Sequence, residues 1–174
     1  TSRSFRNAVL QLAGQHAFAR KLVNSGRLSV PAHYTGSPLN TPDIDPFASR
    51  MEPGAPMDDA PVSANGQDGW LLDHVGNRFQ LLVMAEDLST VNVAALAGLQ
   101  DAAIPVEPVI VSRQAGELPG LRVLHDVQGL FAQRYDARAG SAWLVRPDQH
   151  IAARWRAVDT AQVLAAVARA TCNA

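Results

Sequence analysis

Apolar residues fall along this chain in three different rhythms. At the start, Phe5, Val9, Leu12, Ala13, Ala17 and Leu22 recur near helical spacing. That spacing gathers them on one stripe and predicts an amphipathic helix over residues 1–27, with Gly26 as its stop. From 28 to 69 the rhythm is lost. Tyr34, Leu39, Ile44, Phe47 and Met51 are scattered among seven of the eleven prolines. Proline lacks the backbone donor and restricts the residue before it, so an extended linker without regular structure is expected. The linker is too apolar to be purely solvated, so it should lie against another surface.

From residue 70 the pattern alternates between strand and helix. "WLLDHV" (Trp70 to Val75) and "RFQLLVMA" (Arg78 to Ala85) read as strands around a Gly-Asn turn. Residues 88–103 read as a helix with Val91, Ala94, Ala95, Leu96 and Leu99 apolar, and "VEPVIVS" (Val106 to Ser112) as a strand. A short helix over 127–135 follows. Next comes "SAWLVRPDQHIAARW" (Ser141 to Trp155), two strands around a Pro-Asp turn. The last helix runs from Asp159 to Ala170, capped by Asp159 or Thr160, with Val163, Leu164 and Val167 facing inward. Strands separated by helices pair in parallel, and the 141–155 hairpin adds one antiparallel pair.

The element order predicts an α/β fold: a thioredoxin-like mixed sheet flanked by helices, preceded by an N-terminal helix and a long Pro-rich segment. The expected divisions are 1–27, 28–69 and 70–174.

Charge sharpens the division. Residues 1–27 carry Arg3, Arg6, Arg20, Lys21 and Arg27 and no acid. Residues 28–69 carry Arg50 against Asp43, Asp45, Glu52, Asp58, Asp59 and Asp68. The whole chain is nearly neutral at −1, which argues against a nucleic-acid partner. Neither an apolar leader nor a run long enough to span a bilayer is visible, so no membrane partner and a cytoplasmic location are expected.

Candidate chemistry is sparse. A redox thioredoxin keeps a nucleophilic cysteine after its first core strand, where the helix N-terminus stabilises the thiolate. Here that place reads "VMAEDLSTV", Val83 to Val91, and Gly140 and Ser141 stand where a cis-proline is usual. Cys172 is the only cysteine and reads as a bystander. His125 beside Asp126 is the one conceivable acid–base pair, and Asp58–Asp59 reads as a solvated charge run. His16, His33, His74 and His150 show no metal-ligand spacing. "GELPG" lacks the context of a nucleotide loop. No catalytic, cofactor-binding or metal residue is therefore assigned. The expected interface residues are Phe5, Val9, Leu12 and Leu22, through which a homodimer is conceivable. In the hairpin, Arg146 and Arg154 are expected to lay their stems over the core with their heads in water.

Taken in order, "YTGSPLN" (Tyr34 to Asn40), "EPGAPMDDAPV" (Glu52 to Val62), "LLDHVGNRFQLLVM" (Leu71 to Met84) and "AWLVRPDQHIAARW" (Ala142 to Trp155) resemble the C-terminal part of the FAD-dependent aromatic hydroxylases. These are the group A flavoprotein monooxygenases, of the phenol, hydroxyphenylpropionate and polyketide hydroxylase type. Gly54, Pro56, Asp73, Gly76, Phe79, Val145, Arg146, Pro147 and Asp148 carry the resemblance. It implies a thioredoxin-like accessory domain without redox cysteines, structural or engaged in subunit contact. It implies no cofactor in this chain, with FAD and NAD(P)H serving a preceding FAD and substrate region, whose last helix is residues 1–27. The alternatives are an independent thioredoxin-like binding module and an enzyme built on His125 or Asp126.

Overall fold

A computed structural model describes residues 2–16 and 31–173. The chain divides into two compact units, Thr1–Ala32 and His33–Ala174. The first contains α1 (Ser2–Gln15), as the apolar stripe predicts. Phe5, Leu10 and Leu12 are exposed and Val9 is half-buried. Leu22 and the Gly26 stop lie outside the described residues.

The second unit is built on a seven-stranded sheet. Its strands are β1 (Pro61–Ala64), β2 (Gln67–Trp70), β3 (Phe79–Ala85), β4 (Val106–Ser112), β5 (Arg122–His125), β6 (Ala142–Val145) and β7 (Ile151–Trp155). Their order is β2-β1-β5-β4-β3-β6-β7. β3 pairs in parallel with β4 along all seven residues, and β4 in parallel with β5; every other pair is antiparallel. The apolar runs Leu81–Ala85 of β3 and Pro108–Val111 of β4 suit strands covered on both faces. The helices are α2 (Val93–Ala97), α3 (Leu130–Tyr135) and α4 (Thr160–Ala170).

Alternation along the strands sends side chains to two cores. One face gathers Leu81, Val83, Ile110 and Leu144 with Leu96 of α2 and Val163 and Val167 of α4. The other gathers Leu82, Met84, Val109, Val111 and Trp143 with Phe131 and Tyr135 of α3 and with Met51, Met57 and Ala60. Each large side chain fully buried in this way contributes roughly 1.5–3 kcal/mol. Residues 33–60 therefore lie against their own sheet, supplying part of its second core.

The structure corrects several expectations. Residues 61–64 and 67–69 are not linker but form, with Trp70, a hairpin turned by Asn65 (φ 51°) and Gly66 (φ 76°). The "WLLDHV" strand is absent; Leu71–Asp73 is a single 3₁₀ turn. Side chains satisfy several of its backbone groups where a ladder would otherwise do so. Leu72 N–H donates to Asp59 Oδ1, Gly76 N–H donates to Gln80 Oε1, and Gln149 Nε2 donates to the carbonyls of Leu72 and Val75. The helix expected over 88–103 is broken because it contains two caps. Asp87 accepts from Ser89 N–H and Asn92 from Ala95 N–H, and Val91 between them is extended. β5 was not anticipated, and Leu164 faces outward at 42% exposure while Ala166 joins Val163 and Val167 inside.

Candidate functional site

The place where this fold keeps its nucleophile is the C-terminal end of β3. A cavity of about 390 Å³ opens there, lined by Ala85, Thr90, Val91 and Asn92, by Gly140, and by Asp159 ahead of α4. It holds no thiol. Cys172 is exposed just beyond the other end of α4, an 11-residue helix about 16 Å long. Gly140 has φ 84°, and no peptide bond among the described residues is cis.

The four stretches singled out in the sequence meet elsewhere, at the turn of the β6–β7 hairpin. Gly54 N–H donates to Ile151 O (2.7 Å), Ile151 N–H to Ala55 O (2.9 Å) and Met57 N–H to Gln149 O (2.9 Å). Asn77 N–H donates to Pro147 O (2.9 Å), which ties in the 71–79 stretch. Gly54 has φ 97°, and a Cβ there would stand 2.5 Å from Tyr34 O, so only glycine fits. Arg146 pairs with Asp148 (2.7 Å) and lies 5.6 Å from the Tyr34 ring, which itself packs on His150. Four weak motifs thus form one hydrogen-bonded junction.

A second clamp lies beside it. Arg154 is 5% exposed, against the expectation of a solvated head. Its Nη2 and Nε donate to Asp43 at 2.6 and 3.0 Å, and its Nη1 to Ser49 O at 3.0 Å. Arg156 donates to Pro46 O and pairs with Asp136, and its N–H donates to Asp45. Both guanidiniums sit over Phe47, at 4.5 and 3.7 Å from the ring centre, and Phe47 packs edge-on to Trp143 at 5.9 Å. The Ala48 N–H, and then Arg156, hold the Asp136 carboxyl below its ordinary range. Residues 33–60 are thus a strap, fastened by ionic contacts at 43–49 and by backbone contacts at 54–57.

A family model, the HcaD C-terminal domain, matches residues 60–170. The chain belongs to that family. Among solved structures, it is similar to the flavin-dependent monooxygenase PieE in complex with FAD and substrate. The identity is 24% and the TM-score 0.65, over 91% of this chain and 29% of that one. It is also similar to aklavinone-11 hydroxylase in a ternary complex with FAD and aklavinone, at 26% identity and TM-score 0.61, over 85% of this chain and 28% of that one. The fold extends to PrxQ of Xylella fastidiosa, at 17% identity and TM-score 0.52, over 71% of this chain and 99% of that one. No curated protein matches the chain. The chain therefore spans under a third of the length of the two monooxygenases and resembles a C-terminal part of a larger FAD monooxygenase polypeptide.

Within this HcaD C-terminal domain the remaining candidates have structural duties. Asp126 is wholly buried and accepts from the N–H groups of Phe131 and Ala132, both at 3.1 Å, at the start of α3. His125 Nε2 instead meets Arg113 O at 3.1 Å. Their adjacency in sequence does not make a pair in space. Asp58 and Asp59 are not a solvated run: Asp58 binds Arg50 at 2.6 Å, and Asp59 accepts from Ala60 and Leu72 N–H. Tyr135 donates to Asp58 O at 2.6 Å. Burial, with Asp58 and Asp59 nearby, pushes its phenol well above the ordinary range, so it stays protonated. None of the described His, Cys, Asp and Glu residues cluster as a metal site. What this arrangement does chemically is hold a strap, a hairpin and a turn in one fixed geometry.

Proposed function

We propose that the chain is the C-terminal accessory domain of an FAD-dependent monooxygenase that hydroxylates an aromatic substrate with NAD(P)H and O2. Its role is structural or in subunit contact. Residues 1–27 are the end of the preceding FAD and substrate region, and the chain passes from there through the strap into the domain. One observation carries the reading: the chain has the sheet of a thiol enzyme, yet the cavity at the end of β3 holds no thiol and the shared motifs meet in a strap-and-hairpin lock elsewhere. FAD belongs to the preceding region. The turn after β3, Glu86 to Asn92, has two acids and no glycine, which is ill suited to a pyrophosphate. Family membership and the two FAD-bound monooxygenase structures support the assignment.

The test compares two proteins. The 174-residue chain should neither quench FAD fluorescence nor oxidise NAD(P)H. The polypeptide that includes the preceding region should copurify with flavin and consume NAD(P)H in the presence of a phenolic or polyketide substrate. Stoichiometric flavin on the 174-residue chain alone would overturn the assignment. The competing reading, an independent thioredoxin-like binding module, would be favoured if no flavin-binding region precedes the domain.

A further inference from the structure

The sheet has a gap at the end away from the strap. β1 runs beside β2 for four residue pairs but meets β5 at one position, Ser63 opposite His125. Beyond that rung β1 and β5 form no further ladder pair. β5 is paired with β4 over Arg122–His125, so its other edge makes no strand pairing from Arg122 to Leu124. The space between is a groove of about 770 Å³ whose walls include Gln67, Asp68 and Gly69 on one side and Leu121, Arg122 and Val123 on the other. A smaller cavity of about 290 Å³ continues it toward Ser63 and His125.

The groove carries a net negative charge. Asp68, Asp73 and Glu117 are exposed on its walls and have no ion-pair partner among the described residues. The one cation there, Arg122, is already engaged: it pairs with Glu107 at 2.7 Å and donates to His74 O at 2.9 Å. An unpaired strand edge is a template for another strand, and its backbone groups supply affinity without regard to sequence. Half-buried Val123 and buried Leu121 add an apolar floor.

From this placement we infer that the groove takes an extended segment of a partner protein. The segment enters beside β5 as an added strand and alternates cationic with apolar side chains. The cations face Asp68, Asp73 and Glu117 on the side that also carries Leu121 and Val123, where their aliphatic stems rest; the apolar residues turn to the opposite side. This is a binding activity beyond the accessory role, and it stands whether or not a flavin region precedes the domain.

The test uses the full 174-residue chain, isotopically labelled, and a blocked hexapeptide alternating lysine and valine. Saturable amide shifts are expected at 64–69 and 121–125. N-methylation of one of the two alternate sets of peptide nitrogens should weaken binding at least about tenfold, because it removes the backbone donors that face β5. The hexapeptide with glutamate for lysine should give no saturable shift. The double variant D68N/E117Q should keep its fold, since both side chains are exposed, and bind the lysine peptide more weakly. Equal binding by both N-methylated peptides, or shifts confined to other residues, would overturn the inference. So would the same shifts appearing with protein concentration alone, which would make a second copy the occupant.

Discussion

The two ends of the sheet present the same problem and solve it differently. β7 and β2 are both edge strands, and each exposes a row of backbone donors and acceptors to pairing by another chain. At the β7 end the strap covers the edge. Thr41 N–H donates to Ala152 O, Gly54 N–H to Ile151 O, and Ala55 O accepts from Ile151 N–H. Two arginines on and just beyond β7 then fasten the strap through Asp43, Asp45 and the carbonyls of Pro46 and Ser49. At the β2 end nothing among the described residues plays that part. β2 is four residues long and carries Asp68 and Gly69, and Trp70 is 53% exposed. Shortness and charge discourage pairing where no cover is built. The comparison teaches that the strap is a piece of sheet architecture supplied from the Pro-rich stretch, although proline prevents it from being a regular strand.

The largest expected break in this contrast comes from Arg154→Ala. It leaves Asp43 beside a buried apolar surface and Ser49 O without its donor. The cost is about 3 kcal/mol, at the low end for a buried charge pair that loses one partner because Asp43 retains some contact with water. Urea unfolding should show the loss, and amide exchange should rise at 41–57 before it rises in β3 and β4. An unchanged midpoint would mean that the backbone contacts at 54–57 hold the strap alone.

Acid should act on the same end more gently. Asp136 is held below its ordinary value, so the unfolded chain takes up its proton first as pH falls. Its stabilisation is fully present above the ordinary aspartate value of about 3.9 and is lost as pH falls through the lower folded value. Exchange at 45–49 should therefore quicken below about pH 4, and Asp136→Asn should flatten that dependence. At the other end, Trp70→Thr should change stability by no more than about 0.5 kcal/mol, the range of ordinary surface substitutions. A large effect there would show that β2 is covered after all.

The elements read most directly from the sequence were those with long or well-punctuated patterns. β3 and β4 are dominated by the apolar runs Leu81–Ala85 and Pro108–Val111, and the β6–β7 hairpin is marked by Pro147 and Asp148. The thioredoxin-like class followed from them. β5 escaped because four residues, "RVLH", carry too little periodicity to declare a strand. The β1–β2 hairpin had a usable signal, Asn65-Gly66 between two short runs, but it lay at the end of a proline-rich stretch that argued for linker. "WLLDHV" failed for the opposite reason. Its apolar residues suited a strand, while the partners that bend it, Asp59, Gln80 and Gln149, lie up to 77 residues away. Arg154 was misjudged on the same ground. An arginine in a strand is read as a solvated head on an apolar stem, and its actual partner, Asp43, is 111 residues earlier.

That separation also fixes an order of events during synthesis. Asp43 leaves the ribosome 111 residues before Arg154, and at 5–20 residues per second it waits roughly 6 to 22 seconds for its partner. Throughout that interval Met51, Met57 and Phe47 have no finished core to enter. The Pro-rich character of the stretch is suited to the wait, because proline makes it a poor template for premature β pairing. Closing a loop of that length also carries a large entropic cost, so the strap is expected to dock after the rate-limiting step of folding. Fastening it should therefore slow the escape from the native state more than it speeds the approach to it.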